Sequence, residues 1–426
     1  MKIAALLGGL ILAGAATADA QAPRPVTVDN FVRAESDLYF GGLLKDSGGA
    51  LGKFNHRREV ASVDHQTVIR LNRDTMYSSA LFDLDAGPVK ITLPDAGKRF
   101  RSMQVISQDH YVPMVVYAAG AHTLTREKVG TRYAAVGIRA LVDPNDAKDV
   151  QQVHALQDAT KVEQKSPGKL EAPSWDPDSQ KKVRDALLVL ASTLPDFRGA
   201  FGAKGTVDPV RRLMGAAAAW GGNPDKDAVY LNVTPAANDG TTVHKVTVKD
   251  VPVDAFWSIS VYNAEGYYQK NELNAYTINS ITGKKGPDGS TAVQFGACDG
   301  KIPNCIPIVN GWNYTVRLYR PRPEILSGKL EVSRGTAYGF LTRCHSATMA
   351  SASSCARQVG GPWAVRALAR AMSALSVRTR SRTAASLESV QIRSTSASTL
   401  RRSSRDGGSI ETCSRWISFF THQSGS

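Results

Sequence analysis

Between residues 67 and 117 the chain alternates short apolar runs with polar turns: Thr67 to Leu71, Met76 to Leu84, Val89 to Leu93, Phe100 to Ile106 and Val112 to Tyr117. Short runs with apolar side chains at alternate positions predict strands, since successive strand side chains point to opposite faces. Asp85-Ala86-Gly87-Pro88 and Pro94-Asp95-Ala96-Gly97 supply turn chemistry between them, spaced as an antiparallel meander requires. Ahead of this region Asp29 is placed to cap a helix carrying Phe31, Ala34, Leu38 and Leu43.

After Asp143-Pro144 the period changes. Asp149 to Lys165 is amphipathic at helical spacing. Asp176-Pro177 and Asp208-Pro209 each place a capping carboxylate before a proline at the first helical position, ahead of Val183 to Leu194 and Val210 to Trp220. Gly221-Gly222 stops the last helix. Strand patterns return at Val229 to Val233, Val243 to Val248, Phe256 to Tyr262, Thr291 to Phe295 and Tyr314 to Tyr319, with Pro287-Asp288-Gly289 predicting a hairpin turn. The predicted fold class is mainly β, of the α+β kind. Two antiparallel β-sandwich-like domains, residues 21–145 and 226–330, flank a helical connecting segment, residues 146–225.

The N-terminus changes the expected compartment. Lys2, the apolar stretch Ile3 to Ala16 and the small residues of Ala18-Asp19-Ala20 read as a signal peptide cleaved between Ala20 and Gln21, giving a periplasmic or secreted protein. That stretch is too short to span a bilayer, and no later run approaches the ~20 apolar residues a spanning helix needs, so no membrane span is expected after cleavage.

Composition is that of a globular protein, 42% hydrophobic and 21% charged, but the charge is uneven. Residues 331–426 hold 13 Arg, no Lys, four acids and 20 Ser, and so carry +9 of the net +14. Such a segment has too little apolar surface to offset ordering entropy and is predicted to be a disordered tail, including one produced by a reading-frame change near Lys329. Two other readings stay open. One is a basic arm for anionic polymer or lipid, in which Val365, Leu368, Ala369, Met372 and Leu375 recur at helical spacing beside Arg366 and Arg370; the other is a small independent domain. No specific nucleic-acid partner is expected, and homo-oligomerisation is left open.

Longer motifs then carry a family resemblance. The run Asn72-Arg73-Asp74-Thr75-Met76-Tyr77-Ser78-Ser79, continuing through Phe82-Asp83-Leu84-Asp85-Ala86-Gly87-Pro88, resembles the signature of the domain of unknown function 1254. Trp220-Gly221-Gly222-Asn223-Pro224, Asp227-Ala228-Val229-Tyr230, Phe256 to Asn263 and Gly311 to Pro321 are similar to its usual partner, the domain of unknown function 1214. The resemblance covers about residues 28–328. It implies a secreted or periplasmic bacterial protein of two β-sandwich-like domains and brings no agreed catalytic residues. The closing strand usual in that family is replaced by Lys329-Leu330-Glu331-Val332 and the Arg/Ser tail, which predicts an unpaired sheet edge.

Gly-x-Ser-x-Gly, His-Glu-x-x-His, Cys-x-x-Cys, P-loop and dinucleotide motifs are absent, and neither cofactor nor metal is predicted. His110 stands beside Asp109 and is the candidate general base. Asn72, Arg73, Asp74 and Tyr77 offer an amide, a guanidinium, a carboxylate and a phenol at a strand junction. They are candidates for binding a ligand carboxylate or sugar hydroxyl, or for a satisfied turn network. In the strand from Asn313, Tyr314, Val316 and Leu318 are predicted to face the core; Asn313, Thr315, Arg317 and Tyr319 form a solvated face or a ligand wall. Trp257, Asn263, Tyr267, Asn274 and Tyr276 add groups that stack on or hydrogen-bond sugars. Cys298 and Cys305 enclose an eight-residue loop and are predicted to form a disulfide, whereas Cys344, Cys355 and Cys413 form no recognisable site. The expected function is binding of a small polar or carbohydrate-like ligand. The alternatives are a metal-independent periplasmic hydrolase using a carboxylate and His110, and a structural or assembly protein.

Overall fold

The computed structural model describes residues 22–66 and 68–327, together with the backbone of one strand, Tyr338–Leu341. The predicted signal peptide, Thr67 and, apart from that strand, the Arg/Ser tail with Cys344, Cys355 and Cys413 lie outside the described residues.

In chain order the elements are α1 (Phe31–Asp46), β1 (Asn55–His56), β2 (Thr75–Asp83), β3 (Val89–Leu93), β4 (Arg101–Ser107), β5 (Met114–Val116), β6 (Gly120–Leu124), α2 (Arg126–Val129) and β7 (Tyr133–Leu141). They continue with α3 (Ala147–Asp158), β8 (Lys161–Glu163), α4 (Pro177–Ala191), α5 (Pro209–Ala218), β9 (Ala228–Val233), β10 (His244–Val248), β11 (Trp257–Tyr262), β12 (Thr277–Asn279) and β13 (Thr291–Phe295). The last are β14 (Cys305–Ile306), β15 (Asn313–Tyr319), α6 (Pro323–Leu326) and β16 (Tyr338–Leu341). The protein is mostly antiparallel sheet.

The first half is a two-sheet sandwich, as the predicted fold class has it, but its strands do not follow one another as the expected meander. A five-stranded sheet in the order β1-β2-β7-β4-β5 packs on a three-stranded sheet β6-β3-β8, and the 3-10 turn Leu84–Ala86 carries the chain from one to the other. Phe82, Met103, Val105 and Val136 meet Val89, Ile91, Leu93 and Leu124 in a dry core. The central strand β7 has a weak strand signal, because Ala134, Ala135 and Gly137 are small and poor strand formers. Within the predicted strand Thr67 to Leu71, the described residues 68–71 form no strand. Arg70 adopts φ 56°, and Val68 and Leu71 insert instead among Tyr262, Tyr268 and Tyr276 of the second half. The predicted helix Asp149 to Lys165 stops at Asp158, and Lys161–Glu163 becomes a strand on β3. Asn30, not Asp29, is the cap residue of α1.

The proline-led helices form as expected, with Asp176 accepting from the Ser179 N–H and Asp208 from the Arg211 N–H. α1, α4 and α5 pack through Phe31, Ala34, Leu187, Ala216 and Ala217. Glu35 of α1 is buried against Arg184 of α4 at 2.5 Å and also accepts from the Gln180 amide at 2.8 Å.

In the second half, sheets β12-β11-β15-β9 and β14-β13-β10-β16 enclose Val246, Ile259, Phe295, Trp312, Val316 and Leu318. The Cys298–Cys305 disulfide forms. Pro287–Gly289 makes a local turn, but the strands on either side of it, β12 and β13, lie in different sheets, so it is no hairpin. The sheet edge expected to be bare is paired, since Tyr338–Leu341 runs parallel to Lys245–Val248 of β10.

The second face of β15 is neither solvated nor an open wall. Asn313, Thr315, Arg317 and Tyr319 are all buried. Arg317 donates to the Leu71 and Arg70 carbonyls of the first half and to the Ser260 and Tyr262 hydroxyls. This face joins the two halves along a polar, tyrosine-rich seam.

Candidate functional site

The two longest family-like motifs meet at this seam. Asn72 caps its own turn, its Oδ1 accepting the Asp74 N–H at 2.8 Å. That bond fixes which end of the amide points outward: Nδ2 donates to the Tyr77 hydroxyl at 3.1 Å and to the Tyr319 hydroxyl at 3.0 Å. Tyr77 stands opposite Arg139 in the β2–β7 register, and the Arg139 guanidinium lies 5.6 Å from the Tyr77 ring centroid.

Arg139 is held along one edge only. Nη1 donates to Gln104 Oε1 at 2.7 Å and to Asn223 Oδ1 at 3.3 Å. Both amides are themselves oriented: Gln104 Nε2 donates to the Gly221 and Gly222 carbonyls, and Asn223 Nδ2 donates to the Tyr230 hydroxyl at 2.7 Å. The other edge of Arg139 approaches the Tyr77 hydroxyl and meets no carboxylate, amide or carbonyl among the described residues, and Nε and Nη2 are not sealed from water. No carboxylate pairs with Arg139 among the described residues. Two acids of the seam are engaged elsewhere. Asp74 accepts from Thr277 and Asn279 through Oδ1, leaving its buried Oδ2 unpartnered, and Asp227 accepts from the Tyr117 hydroxyl.

Beside Arg139 the sheet is bare. A side chain added at Gly137 would meet nothing within 4 Å, although Gly137 sits mid-strand between Ser79 of β2 and Gln104 of β4. Its φ is not positive, so the backbone does not require glycine here. The result is an open space floored by Gly137 and edged by Arg139, Tyr77 and Ser79.

The loop Trp220-Gly221-Gly222-Asn223 holds the opposite rim. Trp220 stacks on Tyr39 at 4.4 Å and on His110 at 5.4 Å. A Cβ at Gly222 would fall 2.4 Å from the Phe201 ring, so this position must be glycine for the loop to close on the sheet. His110 accepts the Gly221 N–H through Nε2 at 2.9 Å. Its Nδ1 is buried without a partner, and burial pushes its pKa down to about 3, with Arg212 adding to the shift. Asp109 does not contact it, bonding instead to Arg33. The expected His110–carboxylate pair is therefore not formed, and neither ring nitrogen faces an open space. His110 supports the loop that orients Gln104.

The remaining sequence candidates are dispersed. Arg73 donates to the Ala61 carbonyl and lies 5.1 Å from the Tyr276 ring centroid. Trp257 belongs to the second hydrophobic core. Asn263 accepts the Tyr267 N–H in a turn and takes no part in the seam cluster, and Arg317 is consumed by its four buried partners. Arg139, Gln104 and Gly137 carried no motif. Their signal was a lone arginine and a bare glycine two residues apart in a small-residue strand, and Asn223 and Tyr230 were visible only as members of family-like runs.

Two other concavities are less suited to chemistry. A cavity of about 10 Å³ between Tyr262, Tyr276 and Ile306 has room for one water. An open depression of about 570 Å³ is lined by Leu84, Pro88, Thr125, Arg126, Glu127 and Gly130, with none of the buried polar groups that fix a ligand. Among the described residues no group of three His, Cys, Asp or Glu side chains could hold a metal ion, and no helix is long and apolar enough to cross a membrane.

Comparison with known proteins identifies the halves. Residues 51–128 match the family Protein of unknown function (DUF1254), and residues 228–323 match Protein of unknown function (DUF1214). The fold is similar to the crystal structure of the VPA0106 protein from Vibrio parahaemolyticus, with TM-score 0.58 and 16% identity over 71% of this chain and 96% of that one. An uncharacterized protein from Burkholderia cenocepacia aligns with TM-score 0.40 and 14% identity over 68% and 85% of the two chains. No curated protein matches the sequence.

Proposed function

The chain is a two-domain protein joining DUF1254 to DUF1214, and from that premise we propose that it is an exported binding protein for a small polar ligand held at the seam between the halves. The observation that carries this reading is the open space above Gly137 beside a guanidinium tethered along one edge only. A mid-strand glycine with no backbone need for it lowers strand propensity, and an unpaired Arg forgoes an ion pair; a ligand that fills the space accounts for both. The Asn72 and Tyr77 of the first motif and the Asn223 and Tyr230 of the second then serve one site, as two halves closing on a common ligand. On this proposal, with the N-terminal stretch acting as a signal peptide, the protein meets that ligand outside the cytoplasm.

The test fills the space. Gly137→Val adds side chain where nothing stands and improves strand propensity, so the variant should melt at or above the wild-type temperature. Compounds from a screen of small polar molecules that raise the melting temperature of the wild type should fail to raise that of Gly137→Val. Equal shifts in both proteins would place binding elsewhere and overturn the proposal.

A further inference from the structure

Resting on that site, we infer that the ligand presents an oxyanion, a carboxylate or phosphate group, at Arg139 and not a neutral sugar hydroxyl. The inference comes from counting donors and acceptors at the rim. The hydroxyl oxygens of Tyr77 and Tyr319 each accept from Asn72 Nδ2, and that of Tyr230 accepts from Asn223 Nδ2. Both amide orientations are set from behind, by the Asp74 N–H on Asn72 Oδ1 and by Arg139 Nη1 on Asn223 Oδ1.

With an amide donor on each phenol oxygen, each phenol has its proton left to give. No described residue accepts the hydroxyl proton of Tyr77, Tyr230 or Tyr319. Burial raises the Tyr319 pKa well above the usual tyrosine value, which keeps that proton in place. Arg139 adds Nε and Nη2. Its acceptors on the other edge, Gln104 Oε1 and Asn223 Oδ1, are already used.

The rim therefore offers donors and a fixed positive charge. A hydroxyl ligand brings a donor as well as an acceptor, and of the side chains edging the space only the Ser79 hydroxyl could accept its proton, whereas the guanidinium and the phenols call for a group that accepts. A carboxylate or phosphate oxygen only accepts, and a guanidinium edge matches its geometry. Asp74 is turned to Thr277 and Asn279, and Asp227, bonded to Tyr117, acts on Arg139 only through space and forms no ion-pair contact with it.

Titration calorimetry of the full chain with succinate, inorganic phosphate and glucose distinguishes the readings. Binding of succinate or phosphate, weakened at least tenfold by Arg139→Gln and severalfold by Tyr230→Phe, and weakening with added chloride, is the expected result; which of the two binds tells carboxylate from phosphate. Arg139→Lys keeps the charge without the fork and should retain part of the affinity, which guards against a variant that has simply misfolded. Glucose binding that Gly137→Val removes would leave the site standing and overturn the oxyanion inference. Failure of both anions to bind at millimolar concentration overturns the inference as well, and anion binding untouched by Gly137→Val and Arg139→Gln overturns inference and site together.

Discussion

At the scale of single residues, the side chain that looked most like a catalyst is a strut. His110 sits at φ 60°, a left-handed conformation uncommon outside Gly that His, Asn and Asp adopt more readily than most, with its ring against Phe201 and Trp220. Its usual pKa near 6.5 falls to about 3 because burial penalises the charged ring, with Arg212 second. The sign of the linkage follows. Between pH 6.5 and 3 the unfolded chain binds a proton here and the folded chain does not. The neutral ring thus contributes stability above about 6.5 that is lost as pH falls, at ~1.4 kcal/mol per pH unit. His110→Asn tolerates the same backbone and removes the titration, so its melting temperature should fall less steeply than the wild type's from pH 6.5 to 4. Parallel slopes for the two proteins would show that His110 is protonated in the fold. Nothing in Gln108-Asp109-His110-Tyr111 distinguishes strut from base, since the deciding partners, Gly221 and Trp220, are over 100 residues away.

At the scale of elements, local chemistry was legible where it sits next to its consequence. Asp-Pro at the head of α4 and α5 is one such case, because capping and the fixed proline φ act within one turn. β7 was not legible. Its strand identity comes from lying between β2 and β4, and burial lets Ala134 and Ala135 stand where an exposed strand would need branched side chains, while Gly137 faces the open space. The Cys298–Cys305 loop is the intermediate case, read from spacing and confirmed by geometry. Closing an eight-residue loop restricts the unfolded chain by ~2.5 kcal/mol on the chain-entropy account. The double variant Cys298→Ser with Cys305→Ser should lose stability of about that size in urea melts, and reductant should leave it unchanged while lowering the wild type toward it. An unaltered midpoint would mean that the Gly296 backbone contacts of Cys298 and Cys305, not the cross-link, hold the loop.

At the scale of the whole molecule, the seam makes the halves interdependent. The guanidinium of Arg317 is buried in the second half, and two of its acceptors, the Leu71 and Arg70 carbonyls, belong to the first. Asp74 of the first half depends in return on Thr277 and Asn279 of the second. Losing either half leaves a charge without its partners, an outcome that costs roughly 3 to 5 kcal/mol when the group stays buried. Calorimetric unfolding should therefore give one transition, with calorimetric and van't Hoff enthalpies in agreement. Two resolved peaks would show that each half satisfies its own charges. Period-two reading separated the two faces of β15 correctly, but a face buried by a second domain carries the same polar residues as one open to water. Only the partner sheet tells them apart.

Trp220 gives the molecule a built-in optical gauge. Its indole is sandwiched by Tyr39 and His110, and the next two carbonyls in the chain grip the amide that steadies Arg139. Indole emission is sensitive to the polarity and charge of its surroundings, so Trp220, one of six tryptophans, is expected to report a change at this loop in the emission of the unlabelled protein. Ligand binding at the proposed seam site should therefore shift the emission of the wild type, and the shift should be lost in Trp220→Phe, with no dye or tag introduced.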